Sequence, residues 1–279
     1  MRNRQRVGWR RYVNGVNIAT ALTILFVIIP LYWMISSSFK GQSGIGQASL
    51  LPHDVTTNNY NVAFSQYTFG RYILNSVIVA VITTALVLTL GTLAGYALGR
   101  LPMRGKLPIM VALLMISVFP AIAVIAPLFL LMKDLGWLNS YQALIVPYTA
   151  FNLPFAIWII RNYMLGIPKE MEETGRIDGA GPFRTLWSIV LPQATPGLFT
   201  AGIFTFTACW TEFLMALSFN SSNDFRTIPV GIAEFGAQFT IPYGTIFAAS
   251  TVAAVPIGIL VLVFRKSVVS GLTAGAVKG

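Results

Sequence analysis

Residues 170–197, EMEETGRIDGAGPFRTLWSIVLPQATPG, form a polar segment inside a chain that is otherwise long and apolar. The segment contains four of the nine acidic residues in the 279-residue chain. The chain as a whole is 55% hydrophobic and 10% charged, with a mean hydropathy of +0.70. Because a soluble domain has about 25% charged residues, this composition indicates a membrane protein, and the polar segment must lie between membrane spans.

Six apolar stretches surround this segment, and each is long enough to cross a bilayer as a helix. A helical span needs about 20 predominantly apolar residues. We therefore predict an all-α integral membrane protein with six transmembrane helices, the polar segment connecting spans four and five. The predicted spans are about 17–38, 73–99, 107–132, 141–163, 198–219 and 246–264.

The basic residues are distributed unequally between the two sides of this topology. Only Lys40, Arg71, Lys133 and Arg226 fall in the loops of one side, and the other 15 of the 19 basic residues lie on the side of the two termini. Because basic segments tend to stay in the cytoplasm, we predict that both termini and the polar segment are cytoplasmic. The same asymmetry explains the net charge of +10 without a nucleic-acid partner.

Local signals divide the polar segment into two short helices joined by a turn. Pro168 suits the first turn of a helix, and the acids that follow it lie near the positive end of the helix dipole. Glu172 and Arg176 are four residues apart and are expected to pair on the surface. Gly179 can adopt the left-handed conformation that ends a helix, and a second helix is predicted to begin at Pro182.

The second helix carries an apolar stripe that Pro192 is expected to end, so that the chain re-enters the membrane after Pro196 and Gly197. The stripe has the helical spacing i, i+3, i+4 and i+7 and consists of Phe183, Leu186, Trp187 and Val190. An amphipathic helix that lies on lipid favours Lys and Arg, whereas the first helix here is acid-rich. A protein partner is therefore the favoured contact, and a lipid surface is the alternative.

Motifs for chemistry on this chain are weak. No GxxxxGK[ST] stretch occurs, so the chain cannot cradle ATP phosphates in that way. The single histidine, His53, and the single cysteine, Cys209, cannot build a His-based metal site. Asp178-Gly179-Ala180 is similar to the opening of a lipid-headgroup phosphotransferase motif, but the aspartates that would follow it are missing. A lipid-modifying membrane enzyme remains the rival hypothesis.

Three groups of residues in the polar segment resemble the cytoplasmic "EAA" loop of bacterial ABC-importer permeases. In that loop E-A-A, two variable residues and D-G-A are followed by I-x-L-P. The matching residues are Glu173-Thr174-Gly175, Asp178-Gly179-Ala180 and Ile189-Val190-Leu191-Pro192. Further matches make the chain similar to the carbohydrate-uptake branch, specifically its maltose-permease-like partner with six spans: Asn75-Ser76, Trp210-Thr211-Glu212-Phe213 and Gly271-Leu272-Thr273.

The resemblance implies a docking loop for a cytoplasmic ATPase. The loop residues implied are Glu173, Thr174, Gly175, Asp178, Gly179, Ala180, Leu191 and Pro192. It also implies a second homologous permease subunit, two ATPase subunits and an extracytoplasmic solute-binding protein as partners, within the lipid bilayer of the bacterial inner or plasma membrane. The chain itself would be non-catalytic and hold no cofactor or metal, since ATP and magnesium would bind the partner ATPase.

Two features of the sequence depart from the family pattern. Thr174 and Gly175 replace the two alanines, and Thr211 replaces an asparagine that often precedes the glutamate in span five. Glu212 is the one carboxylate within a predicted span, where a charge usually faces the bundle interior or water. It is predicted either to line the translocation pathway, together with Asn152 and Trp210, or to make a structural hydrogen bond between helices.

The sequence also predicts how the chain is organised, and the resemblance suggests what it carries. Residues 1–72 would comprise a basic segment, the first span and an external loop. Because the apolar run over 17–35 is longer than the core of about 7–15 residues in a cleaved signal, the first span is predicted to be an uncleaved anchor, with a cleaved signal peptide as the alternative. Residues 73–264 would form the permease core, with the coupling loop at about 166–197, and residues 265–279 a cytoplasmic tail. A sugar or oligosaccharide is the expected solute, and a glycerol-phosphate-type or other polar solute is the alternative.

Overall fold

The computed structural model of the chain describes residues 15–46, 49–52, 54–236 and 241–274. These residues are all-helical, with one isolated bridge between Lys40 and Val55 in place of any strand. The helices are α1 (Gly15–Ser38), α2 (Gln42–Ile45), α3 (Asn58–Gln66), α4 (Phe69–Gly99), α5 (Lys106–Val118), α6 (Ala121–Asp134), α7 (Gln142–Leu165), α8 (Glu170–Ile177), α9 (Pro182–Thr185), α10 (Leu191–Thr211), α11 (Leu214–Phe219), α12 (Ile228–Glu234) and α13 (Tyr243–Ala274). A π-helical segment, Leu186–Val190, joins α9 to α10.

The long helices agree with the prediction of a multi-pass membrane protein. Five are long and apolar enough to cross a bilayer, and the pair α5 and α6 makes a sixth candidate if it counts as one span. The five are Asn17–Ser38, Phe69–Gly99, Gln142–Leu165, Pro182–Thr211 and Tyr243–Arg265. The all-α class is therefore confirmed, and the described helices give five candidate spans, or six if α5 and α6 form one span.

The third span was predicted as one helix over 107–132, and this was wrong in detail. The structure breaks it into α5 and α6, which meet at 89°. Phe119 has an extended backbone, with φ −65° and ψ 131°, because a residue that precedes proline is pushed out of the helical region. The second helix starts directly after Pro120. The proline therefore marks a sharp change in the direction of the span.

The fifth span was also misplaced, because the predicted 198–219 is wrong at both ends. A continuous helical rod, formed by α9, the π-helix and α10, runs over 182–211. Pro192 does not stop it. Proline has no N–H to donate to the carbonyl four residues earlier, and the preceding turn widens, so that the Leu191 N–H bonds to the Leu186 carbonyl in π-helical register. The rod ends at Glu212, whose ψ is 130°.

The chain divides into two compact units, residues 1–67 with 235–252 and residues 68–234 with 253–279. In the first unit, the Asn59 amide donates to the carbonyls of Ser38 and Lys40, at 2.9 Å each. Gly244 packs directly on Asn59, where a Cβ would lie 2.6 Å from the amide oxygen. The predicted basic segment at 1–14 and the last five residues of the predicted tail lie outside the described residues.

The second unit contains the polar segment, and its core is the pair of helices α4 and α7. Gly91 and Gly95 of α4 face Ile160 of α7, where added Cβ atoms would lie 3.3 and 3.2 Å from the isoleucine side chain. Residues at four-residue spacing share one face of a helix, and small residues there let two helices approach closely. This contact places the end of α7, and with it the start of the polar segment, beside the end of α4.

At the opposite end of the second unit, Asn75 holds the loop that follows α11. Its amide nitrogen donates to the carbonyls of Asp224 and Arg226 at 2.9 and 2.8 Å, and its oxygen accepts from the Tyr141 hydroxyl at 2.9 Å. The neighbouring Ser76 accepts from the Ile228 N–H at 2.9 Å. The Asn75-Ser76 pair in the sequence is therefore a structural clamp on this loop.

Candidate functional site

The polar segment folds as a short acidic helix, a glycine turn and the start of the rod. Helix α8 has three glutamates in its first turn and Arg176 in its last, an order that suits the helix dipole. Gly179 has φ +82°, the left-handed conformation predicted for it. Its N–H bonds to the Arg176 carbonyl at 3.0 Å and the Ala180 N–H to the Gly175 carbonyl at 2.9 Å, the paired bonds of a Schellman motif.

The eight residues predicted to dock an ATPase differ in how much of each is accessible in this chain. Gly175 is buried, and Ala180 and Leu191 are half-buried. The exposed residues are Glu173, Thr174, Asp178, Gly179 and Pro192. Two of these exposed residues, Glu173 and Asp178, are carboxylates, and Glu170 in the first turn of α8 adds a third on a surface that is free in this chain.

The structure gives a physical reason for glycine at position 175. Helix α8 packs against the π-helix at this point, and a Cβ on Gly175 would lie 2.2 Å from Cδ1 of Ile189. The isoleucine side chain occupies the space that an alanine methyl group would need. Gly175 thus lies at a direct contact between α8 and the rod, where an alanine would require the end of the Ile189 side chain to move. Thr174 bonds back to the Glu170 carbonyl at 2.8 Å.

The predicted apolar stripe does not form a single face for a partner, and this prediction needs correction. Leu186 and Val190 are buried against α4, α7 and α10 in the core of the unit. Phe183 and Trp187 remain exposed, with 72% and 54% of their surface accessible. Because the rod lies against the bundle, the pair Leu186 and Val190 faces the core and the pair Phe183 and Trp187 faces outward. Only the second pair is accessible to a partner.

The predicted surface pair between Glu172 and Arg176 was wrong. Glu172 is 4% exposed, and its Oε1 lies 3.0 Å from Nε of Arg100, the residue that follows α4. The N–H direction misses the oxygen, so this contact is an ion pair and not an aligned hydrogen bond. Arg100 could not be predicted as the partner of Glu172, because no local spacing in the sequence connects it to the polar segment.

The three residues proposed for the pathway each have a partner within the chain. The Asn152 amide donates to the Tyr148 carbonyl one turn earlier, at 2.8 Å. Trp210 is buried, and its indole N–H donates to the Ala253 carbonyl of α13 at 3.0 Å. Asn152 and Glu212 both contact Tyr148, whereas Trp210 faces α13. The structure therefore brings Asn152 and Glu212 to one residue, the first to the backbone carbonyl of Tyr148 and the second to its hydroxyl, but leaves Trp210 apart.

Glu212 lies where the rod ends, two residues before α11 begins. One carboxylate oxygen accepts from the Met215 N–H at 2.8 Å and the other from the Ala216 N–H at 3.1 Å. The Tyr148 hydroxyl donates to the second oxygen as well. The first N–H groups of a helix have no partner within the helix, so the carboxylate supplies acceptors where the helix needs them, and it joins α7 to the break between α10 and α11.

Glu212→Ala is therefore expected to lower the melting temperature of the purified chain. Hydrogen bonds to a charged group contribute about 1.5–3 kcal/mol each, and this variant loses three such bonds. Thr211→Ala is the matched control, since Thr211 is exposed and bonds only back to the Thr207 carbonyl. A Glu212→Ala chain that melts like the control but loses transport would instead support a role in the pathway.

The fold and the polar segment together define a class of protein. A bundle of membrane helices carries a two-helix element that exposes the carboxylates of Glu173 and Asp178 and the aromatic side chains of Phe183 and Trp187, a surface that suits contact with another chain. The model of the family described as "binding-protein-dependent transport system inner membrane component" matches residues 88–273. The chain belongs to this family, as a multi-pass permease subunit of the cell membrane.

Related proteins are similar over nearly the whole chain. The trehalose/maltose transport system permease protein of Thermococcus litoralis is 39% identical over 94% of this chain and 95% of its own length. The sulfoquinovosyl glycerol transport system permease protein of Agrobacterium fabrum is 39% identical over 94% and 93%. The trehalose transport system permease protein of Mycobacterium tuberculosis is 36% identical over 94% and 96%.

A solved structure has the same fold. A chain of a bacterial ABC transporter involved in the import of the acidic polysaccharide alginate superposes with a TM-score of 0.79, over 93% of this chain and 98% of that chain. Its sequence is 22% identical to this one. The two chains therefore share one fold over nearly their whole lengths.

Proposed function

We propose that this chain is the permease subunit of an ABC importer for a neutral sugar or oligosaccharide, and that it converts closure of the ATPase pair into alternating access. One observation carries the proposal: the similarity to sugar permeases extends over 94% of the chain and includes the polar segment. The geometry of the polar segment supports the proposal. An element that transmits motion between proteins must be exposed to its partner and fixed to its own chain, and α8 has both an exposed face and a face packed on the bundle.

The polar segment is the proposed docking site for an ATPase. Glu173 and Asp178 offer charges that can set the register of a complex, and the exposed Phe183 and Trp187 offer aromatic anchors of the kind that dominate interface energetics. Residues 73–264 form the proposed permease core, which leaves ATP and magnesium to the ATPase subunits. The other proposed partners are a second, homologous permease and an extracytoplasmic solute-binding protein.

A neutral solute is favoured over an anionic one by the state of two arginines on the face predicted to be external. Arg226 forms an ion pair with Glu234 at 2.6 Å and bonds to the Asn223 side chain. Arg71 donates to the Asp224 carbonyl at 3.1 Å. Both side chains therefore bond to groups in or beside the loop after α11, whereas a site for phosphate or sulfonate needs charged donors that converge on the anion.

An anionic glycoside is the second candidate, because one relative at 39% identity is a sulfoquinovosyl glycerol permease protein. The proposed pathway residues Asn152, Trp210 and Glu212 include no cation, which disfavours this candidate. The two solutes differ by a full charge, so a single uptake experiment separates them.

Uptake by the reconstituted complex tests the function. The permease pair, the ATPase and the binding protein are placed in proteoliposomes, and the entry of labelled trehalose, maltose and a sulfonated glycoside is followed with and without ATP. We expect ATP-dependent entry of a neutral disaccharide. Entry of the sulfonated glycoside alone would favour the second candidate. A chain that modifies lipid on its own and binds no ATPase would contradict the proposal.

A further inference from the structure

Two charged side chains are buried where three helices of the second unit come together. Arg100 immediately follows α4, Glu172 lies in the first turn of α8, and their side chains are 4% and 5% exposed. Removing two charges from water costs several kcal/mol per ion, and an apolar pair of similar volume is often at least as stable. A buried ion pair here is therefore weak evidence for a role in stability alone.

The guanidinium group of Arg100 also reaches the end of α7. Its Nη2 donates to the carbonyls of Met164 and Ile167, where the last carbonyls of a helix lack donors from the helix itself. A planar guanidinium with a fork of donors can serve a carboxylate and two carbonyls together, whereas a lysine ammonium is a point charge. One side chain thus joins the end of α4, the end of α7 and the start of α8.

Helix α8 is fixed to the bundle along one narrow face. Its buried residues are Glu172 and Gly175, three positions apart and so on the same face. Glu172 connects α8 to α4 and α7 through Arg100, and Gly175 connects it to the rod through Ile189. A helix of eight residues is not stable by itself in water, so these two contacts determine where the exposed carboxylates of α8 point.

We propose that Arg100 is a positioning residue of the coupling loop, which acts through Glu172 to hold α8 rigidly and to pass its displacement to α4 and α7. The inference rests on the proposed function. Two neighbouring glutamates then have different roles. The exposed Glu173 would contact the partner, and the buried Glu172 fixes α8 to the bundle through Arg100. Without the anchor, an ATPase that moves α8 would turn the helix about its contact with Ile189 and leave α4 and α7 behind.

Hydrogen exchange on the full purified chain tests the anchoring step without any partner or solute. Arg100→Gln is expected to raise the exchange of the α8 amides at least about tenfold, because local opening free energy sets exchange protection. Arg104→Gln is the matched control, since Arg104 is exposed in the same connection and should leave α8 unchanged. Equal exchange in the two variants would overturn the proposal.

The number of solute molecules imported per ATP hydrolysed, measured in the reconstituted complex, tests the transmission step. We expect Arg100→Gln to lower this ratio at least about tenfold while ATP hydrolysis continues. Arg100→Lys keeps the charge but not the fork, so a smaller drop is expected at an unchanged melting temperature, and this variant serves if Arg100→Gln does not fold. A melting temperature that falls while the ratio stays at the wild-type value would reduce the pair to a structural role.

The ratio of imported solute to hydrolysed ATP also distinguishes failure of the proposed importer function from failure of the positioning role of Arg100. A wild-type complex that hydrolyses ATP but imports no solute would contradict the proposed function. A wild-type complex that imports solute, beside Arg100→Gln and Arg100→Lys variants with the wild-type ratio, would contradict only the positioning role of Arg100.

Discussion

Replacement of Gly179 by valine is expected to abolish ATP-driven import while the chain still inserts into the membrane. Gly179 has φ +82°, a conformation that costs a residue with a Cβ about 1–2 kcal/mol and is a marked outlier for a β-branched side chain. A valine would shift the backbone out of the left-handed region and break the two hydrogen bonds that end α8. The turn would then redirect Asp178, and import should fall at least about tenfold.

Gly181→Val is a close control for this experiment. Gly181 lies two residues away and is equally exposed, but its φ is −71° with an extended ψ of 170°, which any residue adopts. An added Cβ meets no atom within 4 Å at either glycine. The two variants therefore differ only in backbone conformation. Equal import by both would show that the left-handed turn at Gly179 is not needed for coupling.

Helix existence in this chain follows from composition, whereas helix continuity does not. A run of about 20 apolar residues must be helical in a bilayer because each backbone group needs a partner inside the segment. The break at Pro120 and the continuity through Pro192 depend on something else. Pro120 begins a new helix after an extended residue, but Pro192 is accommodated by a π-turn. Proline alone cannot distinguish these outcomes, since the packing of neighbouring helices decides between them.

The local structure of the polar segment was predictable from the sequence, and the contacts that hold it against the bundle were not. Gly179 could be assigned to a left-handed turn because its role depends on the few residues around it. Glu172 was assigned to Arg176 by the same local reasoning, which failed because Arg100 arrives from a distant part of the chain. An acid at i and a base at i+4 pair weakly at a surface, so a buried guanidinium easily replaces that partner.

The polar segment is connected to the bundle by two helical elements, α7 before it and the rod after it, which we call its arms. The two arms contact each other close to the polar segment. Gly197 of α10 lies against Tyr163 of α7, where an added Cβ would be 2.4 Å from Cγ and 2.6 Å from Cβ of the tyrosine. Tyr163 is two residues from the end of α7, so this contact sets the separation of the arms at the base of the loop. Arg100 fixes α8 to one arm and Ile189 fixes it to the other.

Gly197→Ala is therefore expected to destabilise the chain, although alanine is the better helix former by about 1 kcal/mol. The atoms in the way are the base of the tyrosine side chain, which moves only with the α7 backbone, and overpacking of this kind costs about 1–3 kcal/mol. Gly202→Ala on the same helix is the control: its Cβ would lie 3.3 Å from Cδ1 of Leu88, a flexible side-chain end. Melting temperatures of the purified chains should fall for the first variant and hold or rise for the second.

A second substitution distinguishes clash from a loss of glycine flexibility. Tyr163→Gly removes both Cγ and Cβ, the atoms that the new methyl group would meet, so Gly197→Ala added to it should cost less than it does in the wild type. The two changes should be non-additive, as expected for residues in contact. Import per folded molecule should follow the same pattern, because arms forced apart carry α8 away from the end of α4. If Gly197→Ala costs the same with and without Tyr163, helix separation cannot be the cause, and the contact would not set the spacing of the arms.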